Sequence, residues 1–187
     1  MAKMRTLHDL FLDQLKDMNS AERQLVGALP KMAKAASNPE LRQAFEQHLN
    51  ITKAQADRLN QLFGMFGTTA GRKKCKGMEG LIAEGDELMM EEGMAPAVRD
   101  AGLIAAAQKV EHYEIASYGT LRTYADMMGH QEASRILQQI LDEEGQADKL
   151  LTQIAEKSVN IQAEDMGMQQ GSASGTSRSR TGSGMGK

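Results

Sequence analysis

The sequence predicts an all-α protein: a four-helix bundle made of two helical hairpins, joined by one long crossover that carries a short extra helix. Three observations predict it. Only 3 prolines and 4% aromatic residues serve 187 positions, while Ala, Leu, Gln, Glu, Lys and Met are plentiful, a composition that favours helix. Four long segments repeat apolar residues in alternating steps of three and four, the period of a helix face. The breaks between the first and second segments and between the third and fourth are short, whereas the middle connection is long.

The first helix is expected from near Thr6 to about Ala36, with Leu7, Phe11, Leu15, Met18, Glu22, Leu25, Leu29 and Met32 on one face. Pro30 has no N–H to donate and is expected to kink the last turns. In Ser37-Asn38-Pro39-Glu40, Asn38 suits an N-cap and Pro39 the first helical position. The second helix then runs to about Phe66 along Leu41, Phe45, His48, Thr52, Gln55, Leu59, Leu62 and Phe66. Gly67 to Gly71 ends it, and a shorter helix follows from about Cys75 to Glu92 before a break at Gly93 to Pro96. The third long helix, about Ala97 to Met128, carries Leu103, Ala107, Val110, Glu114, Tyr118, Leu121 and Ala125. Gly129-His130 turns the chain into the fourth, which runs to about Lys157 with Leu137, Leu141, Glu144, Asp148, Leu151 and Ala155 in register.

Short loops make each pair an antiparallel hairpin. At 1.5 Å per residue the crossover helix spans about 27 Å, enough to return along most of the bundle. That is the ferritin-like topology. Residues 1–166 are read as this one domain; 167–187 are Gly/Ser-rich with no apolar period and are expected to stay disordered.

Net charge is −3, but Arg178, Arg180 and Lys187 lie in the tail, leaving 19 basic against 25 acidic residues in the body. An acidic body argues against duplex binding by phosphate neutralisation. No run approaches the roughly 20 apolar residues that span a bilayer. A single cysteine excludes an internal disulfide, and MAKMRTLHDL lacks an apolar signal region, so the cytoplasm is the expected compartment.

Charge interrupts every apolar stripe at mid-helix. Glu22, the Thr52/Gln55 pair, Glu111/Glu114 and Glu144/Asp148 converge at one level if the hairpins are antiparallel, and the separations of Glu22 from Thr52 and Glu111 from Glu144, 30 and 33 positions, suggest an internal duplication. So many carboxylates in a dry core cannot all ionise without a compensating cation. Two divalent metals bridged by carboxylates are one solution, as in di-iron and di-manganese bundles. A buried polar network that fixes helix register without metal is the other.

The segments LHDLFLDQLKDMNSAERQLVGALPKMAKAASNPELRQAFEQHL and LIAAAQKVEHYEIASYGTLRTYA resemble the YciF-like family of bacterial stress proteins, over about Met4 to Glu156. The resemblance implies a ferritin-like bundle, a homodimer and a dinuclear metal site. By the wider analogy with rubrerythrin-like sites, Glu22 stands as the first-helix ligand, Glu111-x-x-Glu114 as the third-helix pair, and Glu144-x-x-x-Asp148 in the place of Glu-x-x-x-His. Thr52-x-x-Gln55 stands where such sites have Glu-x-x-His, with His48 one turn earlier as a substitute. Asn19, Asn50 and Ile51 depart from the Tyr, Glu and Glu of the pattern.

The remaining candidates are less specific. His112 points off its stripe and reads as a surface residue. His8 and His130 fall near helix ends and are expected to cap or to be solvated. Cys75 sits among Arg72, Lys73, Lys74 and Lys76, which could lower its pKa, against the plainer reading of an incidental thiol at a helix start. The RKKCK cluster has no interleaved aromatics and reads as a solvated turn.

The resulting expectation is a cytoplasmic, homodimeric protein that holds iron or manganese in the bundle core, with an oxidase or peroxidase type of redox activity. The competing expectation is a non-enzymatic interaction protein with a degenerate site or a metal-free polar core.

Overall fold

The computed structural model describes residues 4–165; the expected tail lies outside them. Four long helices and one short one account for these residues: α1 (Leu7–Ala35), α2 (Pro39–Met65), α3 (Lys76–Met90), α4 (Pro96–Met127) and α5 (Gln131–Ile154). A π-helical turn, Ala155–Val159, extends α5, and the chain stays helical to Asp165. The last helix therefore runs past the expected end at Lys157, and its π turn carries Ala155 and Val159 into the core.

Local chemistry starts and stops these elements where the residue pattern suggests. Thr6 and Asp9 form a reciprocal capping box, with Asp9 N–H donating to Thr6 Oγ1 at 3.1 Å and Thr6 N–H to Asp9 Oδ2 at 3.0 Å. Asn38 Oδ1 accepts from the N–H groups of Glu40 and Leu41 at 2.9 and 3.1 Å, and Pro39 opens α2. Gly129 takes φ +75°, a left-handed conformation suited to glycine, and lets His130 N–H reach back to Ala125 O at 2.9 Å. Pro30 lies inside α1, which continues past it to Ala35.

The hairpins α1–α2 and α4–α5 pack side by side through α1 against α4 and α2 against α5, while α3 lies along α4 and α1. This is the ferritin-like bundle with its long crossover. Phe11, Leu15, Met18, Leu41, Leu59, Leu62, Met78, Leu103, Tyr118, Leu121, Leu137 and Ile140 are its most deeply buried large side chains. Among the described residues no helix is long and apolar enough to cross a membrane.

Two side-chain ties hold connections onto the bundle. Asp100, buried in the first turns of α4, accepts from Ser37 N–H (2.9 Å), Ser37 Oγ (2.5 Å) and Asn38 N–H (2.8 Å). Cys75, at the N-cap of α3, accepts on Sγ from Met78 N–H at 3.4 Å; its own N–H donates to Ser20 Oγ at 2.9 Å, and Gln24 Nε2 donates to its carbonyl at 3.1 Å.

That placement corrects the reactive reading of Cys75. The thiol is fully buried, 3.0 Å from Tyr113 Oη, and burial, with Asp17 nearby, pushes its pKa up. The neighbouring lysines are occupied elsewhere, Lys73 with Asp13 and Lys74 with Glu79. His8 and His130 lie part-exposed near helix ends, His130 at the N-cap position of α5. His130 makes no side-chain cap bond; its ring packs edge-on against Phe66 at 4.9 Å and His8 at 5.9 Å, in a cluster with Phe11 at one end of the bundle.

Candidate metal centre

Antiparallel packing brings the middles of the four long helices to one level, and polar side chains meet there. Glu22 comes from α1, His48, Thr52 and Gln55 from α2, Glu111 and Glu114 from α4, and Glu144 from α5. All are buried: Glu22 and Glu144 expose 0% of their surface, Glu114 1%, Glu111 3% and His48 8%. One donor atom from each of His48, Glu111, Glu114 and Glu144 lies within 4.8 Å of all the others. His48 Nε2 is 3.5 Å from Glu111 Oε1 and 3.7 Å from Glu144 Oε2.

These contacts are not ion pairs. Burial drives the His48 pKa down to about 4, so the imidazole is neutral near neutral pH, the form that binds metal. The same desolvation, reinforced by mutual repulsion, raises Glu22, Glu111 and Glu114 well above the ordinary carboxylate range. Glu144 rises to about 7, burial being partly offset by hydrogen bonding with Glu111 and Gln55.

The other anticipated residues sit at the edges of this cluster. Glu22 accepts a close hydrogen bond from the buried Tyr118 hydroxyl on Oε1, and its Oε2 has no partner. Gln55 Nε2 donates to Glu144 and, at 3.0 Å, to Glu143. Thr52, buried beside them, donates its hydroxyl hydrogen to His48 O on its own helix at 2.9 Å. Asp148 lies at the margin, accepting from Gln108 Nε2 at 3.0 Å with His112 Nε2 3.4 Å away; His112 itself is exposed, as its off-stripe position suggests.

Three participants were not singled out from the sequence. Arg58 binds both oxygens of Glu143, and through Gln55 this pair joins Glu144. Tyr118 continues the apolar stripe of α4, and its hydroxyl is the partner of Glu22. Arg58 stands three residues after Gln55, hence on the same helix face, so a search of that face for a cation would have found it.

The buried donors fit a cation. Glu22 Oε2, Glu111 Oε2, Glu144 Oε2, both nitrogens of His48 and both oxygens of Glu114 are buried without a hydrogen-bond partner. Unpaired buried polar atoms of this kind are costly, and mixed carboxylate and imidazole donors suit first-row divalent metals.

The model of the domain of unknown function DUF892 matches residues 6–164. The chain belongs to the DUF892 family. It is 48% identical to protein YciF of Escherichia coli (strain K12) over 163 residues, 87% of this chain and 98% of YciF. The crystal structure of that E. coli stress protein superposes with a TM-score of 0.80 at 47% identity, covering 84% of this chain and 99% of the other. YcfI from Rhodopseudomonas palustris gives a TM-score of 0.77 at 41% identity, covering 81% of this chain and 96% of YcfI. A protein from Xanthomonas campestris pv. campestris shares the fold at 23% identity, with a TM-score of 0.68, covering 86% and 97% of the two chains. The bundle and its crossover are thus common to this DUF892 chain and its relatives.

Proposed function

We propose that this protein holds a divalent transition metal, iron or manganese, in the bundle core, and serves in the stress response as a cytoplasmic homodimer. His48, Glu111, Glu114 and Glu144 hold the first ion. Glu22 and Gln55, whose Oε2 and Oε1 are buried without partners, would hold a second ion more weakly, Gln55 being neutral where a further carboxylate would strengthen it. Bound iron or manganese supplies one-electron redox chemistry of the oxidase or peroxidase type. The chain's own groups supply the charge that balances the ion, exclude water, and keep the His48 imidazole neutral and ready to ligate.

The observation that carries this reading is Glu114. Both its oxygens are buried and without a hydrogen-bond donor, beside three other ligand-bearing side chains. A register-fixing polar network would have given it a donor. The competing reading, a non-enzymatic interaction protein with a metal-free core, draws on the Arg58–Glu143–Gln55–Glu144 chain. That chain satisfies one side of Glu144 and leaves Glu114 untouched. Total-metal analysis of protein purified without chelator, then loaded anaerobically with Fe(II), separates the two. Near-stoichiometric metal supports the centre; a trace level that loading does not change supports the metal-free core.

A further inference from the structure

At the end of the bundle where α1 and α5 begin and α2 and α4 stop, two imidazoles stand side by side. The ring centres of His8 and His130 are 5.9 Å apart, and Phe66 lies 5.7 Å from the first and 4.9 Å from the second. Both histidines are half-buried, so solvent reaches them, and His130 caps nothing with its side chain. For packing alone, phenyl rings would serve as well. Sulfur is gathered at the same end. Met65 precedes Phe66, Met127 stands three residues before His130 and Met4 four before His8, and all three are exposed. The carboxylates that neighbour them in the chain are engaged, Asp9 in the capping box of α1 and Asp126 with Arg122.

We propose that this end of the bundle is a soft metal site, separate from the mid-bundle donors, which takes Cu(I) on His8 and His130 with thioether ligation from Met4, Met65 and Met127. Distance is the first argument. An imidazole nitrogen ligates at about 2.0–2.1 Å, which puts its ring centre about 3.2 Å from the ion. Two rings on one ion are then about 5.2 Å apart at a tetrahedral angle and about 6.4 Å apart when opposed. The observed 5.9 Å falls between these limits, and a turn of one ring about its broad χ2 torsion aims both nitrogens at one point. Donor type is the second argument. Thioether sulfur selects Cu(I) and imidazole suits copper, whereas manganese prefers carboxylate oxygen. Reach is the third: methionine is unbranched, with three rotatable bonds, so exposed thioethers swing onto an ion without moving the helices. Phe66, beside both imidazoles, adds the π face of its ring to the surroundings of the cation. The site shares no residue with the mid-bundle cluster and does not rest on the reading of that cluster.

The test titrates the full chain anaerobically with Cu(I) against a chromophoric Cu(I) chelator, and follows the methionine ε-methyl signals by NMR. The expected result is saturable uptake that excess Mn(II) does not displace, with the methyl signals of Met4, Met65 and Met127 shifting while those of the buried Met18 and Met32 stay in place. His8→Phe and His130→Phe, which keep an aromatic ring in the cluster, should each weaken uptake at least about tenfold. Met4→Leu, Met65→Leu and Met127→Leu together should remove the preference for Cu(I) over Zn(II). No saturable uptake by the parent chain, methyl shifts confined to other methionines, uptake unchanged in a folded His8→Phe or His130→Phe chain, a Cu(I) preference that survives the triple substitution, or loss of uptake in Cys75→Ser instead would overturn the proposal. Because uptake and the methyl shifts are both read on the parent chain, they decide the question even where a variant fails to fold.

Discussion

Glu114 interrupts an apolar stripe of α4 and reaches the core without a partner, and the cost of that arrangement appears as a pH dependence. Glu22, Glu111 and Glu114 have folded-state pKa values well above 4.5, and that of Glu144 is about 7. For each, the folded chain holds a proton that the unfolded chain has released. The stabilisation is full below about pH 4.5 and is lost as pH rises through the folded values. The Glu144 shift alone corresponds to about 3 kcal/mol. His48 acts oppositely: its folded pKa of about 4 lies below 6.5, so its contribution is full above pH 6.5 and fades as pH falls. Between pH 6.5 and 8 the carboxylates set the sign. The metal-free protein should melt at a higher temperature at pH 6.5 than at pH 8, and a bound divalent ion, by keeping the carboxylates ionised, should flatten or reverse that trend. Identical melting profiles with and without metal would count against a shared site. At this scale Glu22, Glu114 and Glu144 were legible because each breaks an apolar stripe at mid-helix. Asp148 and Thr52 were placed by the same stripes, yet periodicity does not say where a short side chain turns: Thr52 bonds its own backbone, and Asp148 meets Gln108 at the margin.

The helices themselves were legible because their ends are local chemistry. Thr6 with Asp9, Asn38 with Pro39, and Gly129 are signals within a few residues of one another, and each acts as its type predicts. What holds separate elements together was not legible. Asp100 looks like an ordinary charge in the first turns of a helix, but it receives three hydrogen bonds from Ser37 and Asn38, more than sixty positions earlier. Nothing in the spacing announces that meeting. Asp100→Asn keeps the shape but replaces a carboxylate oxygen by an amide donor facing N–H groups, and should cost about 2–4 kcal/mol in urea unfolding. Asn38→Ala removes the cap together with one long hydrogen bond to Ser158 Oγ (3.4 Å) and should cost about 1 kcal/mol. The order of the two is the point: if Asp100→Asn costs no more than Asn38→Ala, the tie between the first hairpin and α4 is not a substantial part of the stability. Cys75 carries the same lesson, since its basic neighbours in sequence face other carboxylates while the thiol turns inward beneath Tyr113.

At the scale of the molecule, two short hairpin loops and one long crossover are enough to bring the midpoints of four helices together. That is why a site scattered over Glu22 to Glu144 could be anticipated as a single cluster. The register of the four-donor set was less accessible: His48 lies one turn before Thr52, and only the relative height of α2 against α4 and α5 decides that the imidazole meets Glu111 and Glu144. The central claim, that this level of the bundle is a cation site, is tested most directly by calorimetric titration of the metal-free chain with Mn(II) near neutral pH. The comparison set is the parent chain, Glu114→Gln, and Glu91→Gln, which alters an exposed residue at the end of α3. The parent and Glu91→Gln should bind saturably and release protons, because the carboxylates give up protons on ligation. Glu114→Gln should bind at least about tenfold more weakly while its metal-free form gains stability near neutral pH, because a glutamine has no proton to take up on folding. Absence of saturable binding by the parent, or equal binding by Glu114→Gln, would contradict the claim.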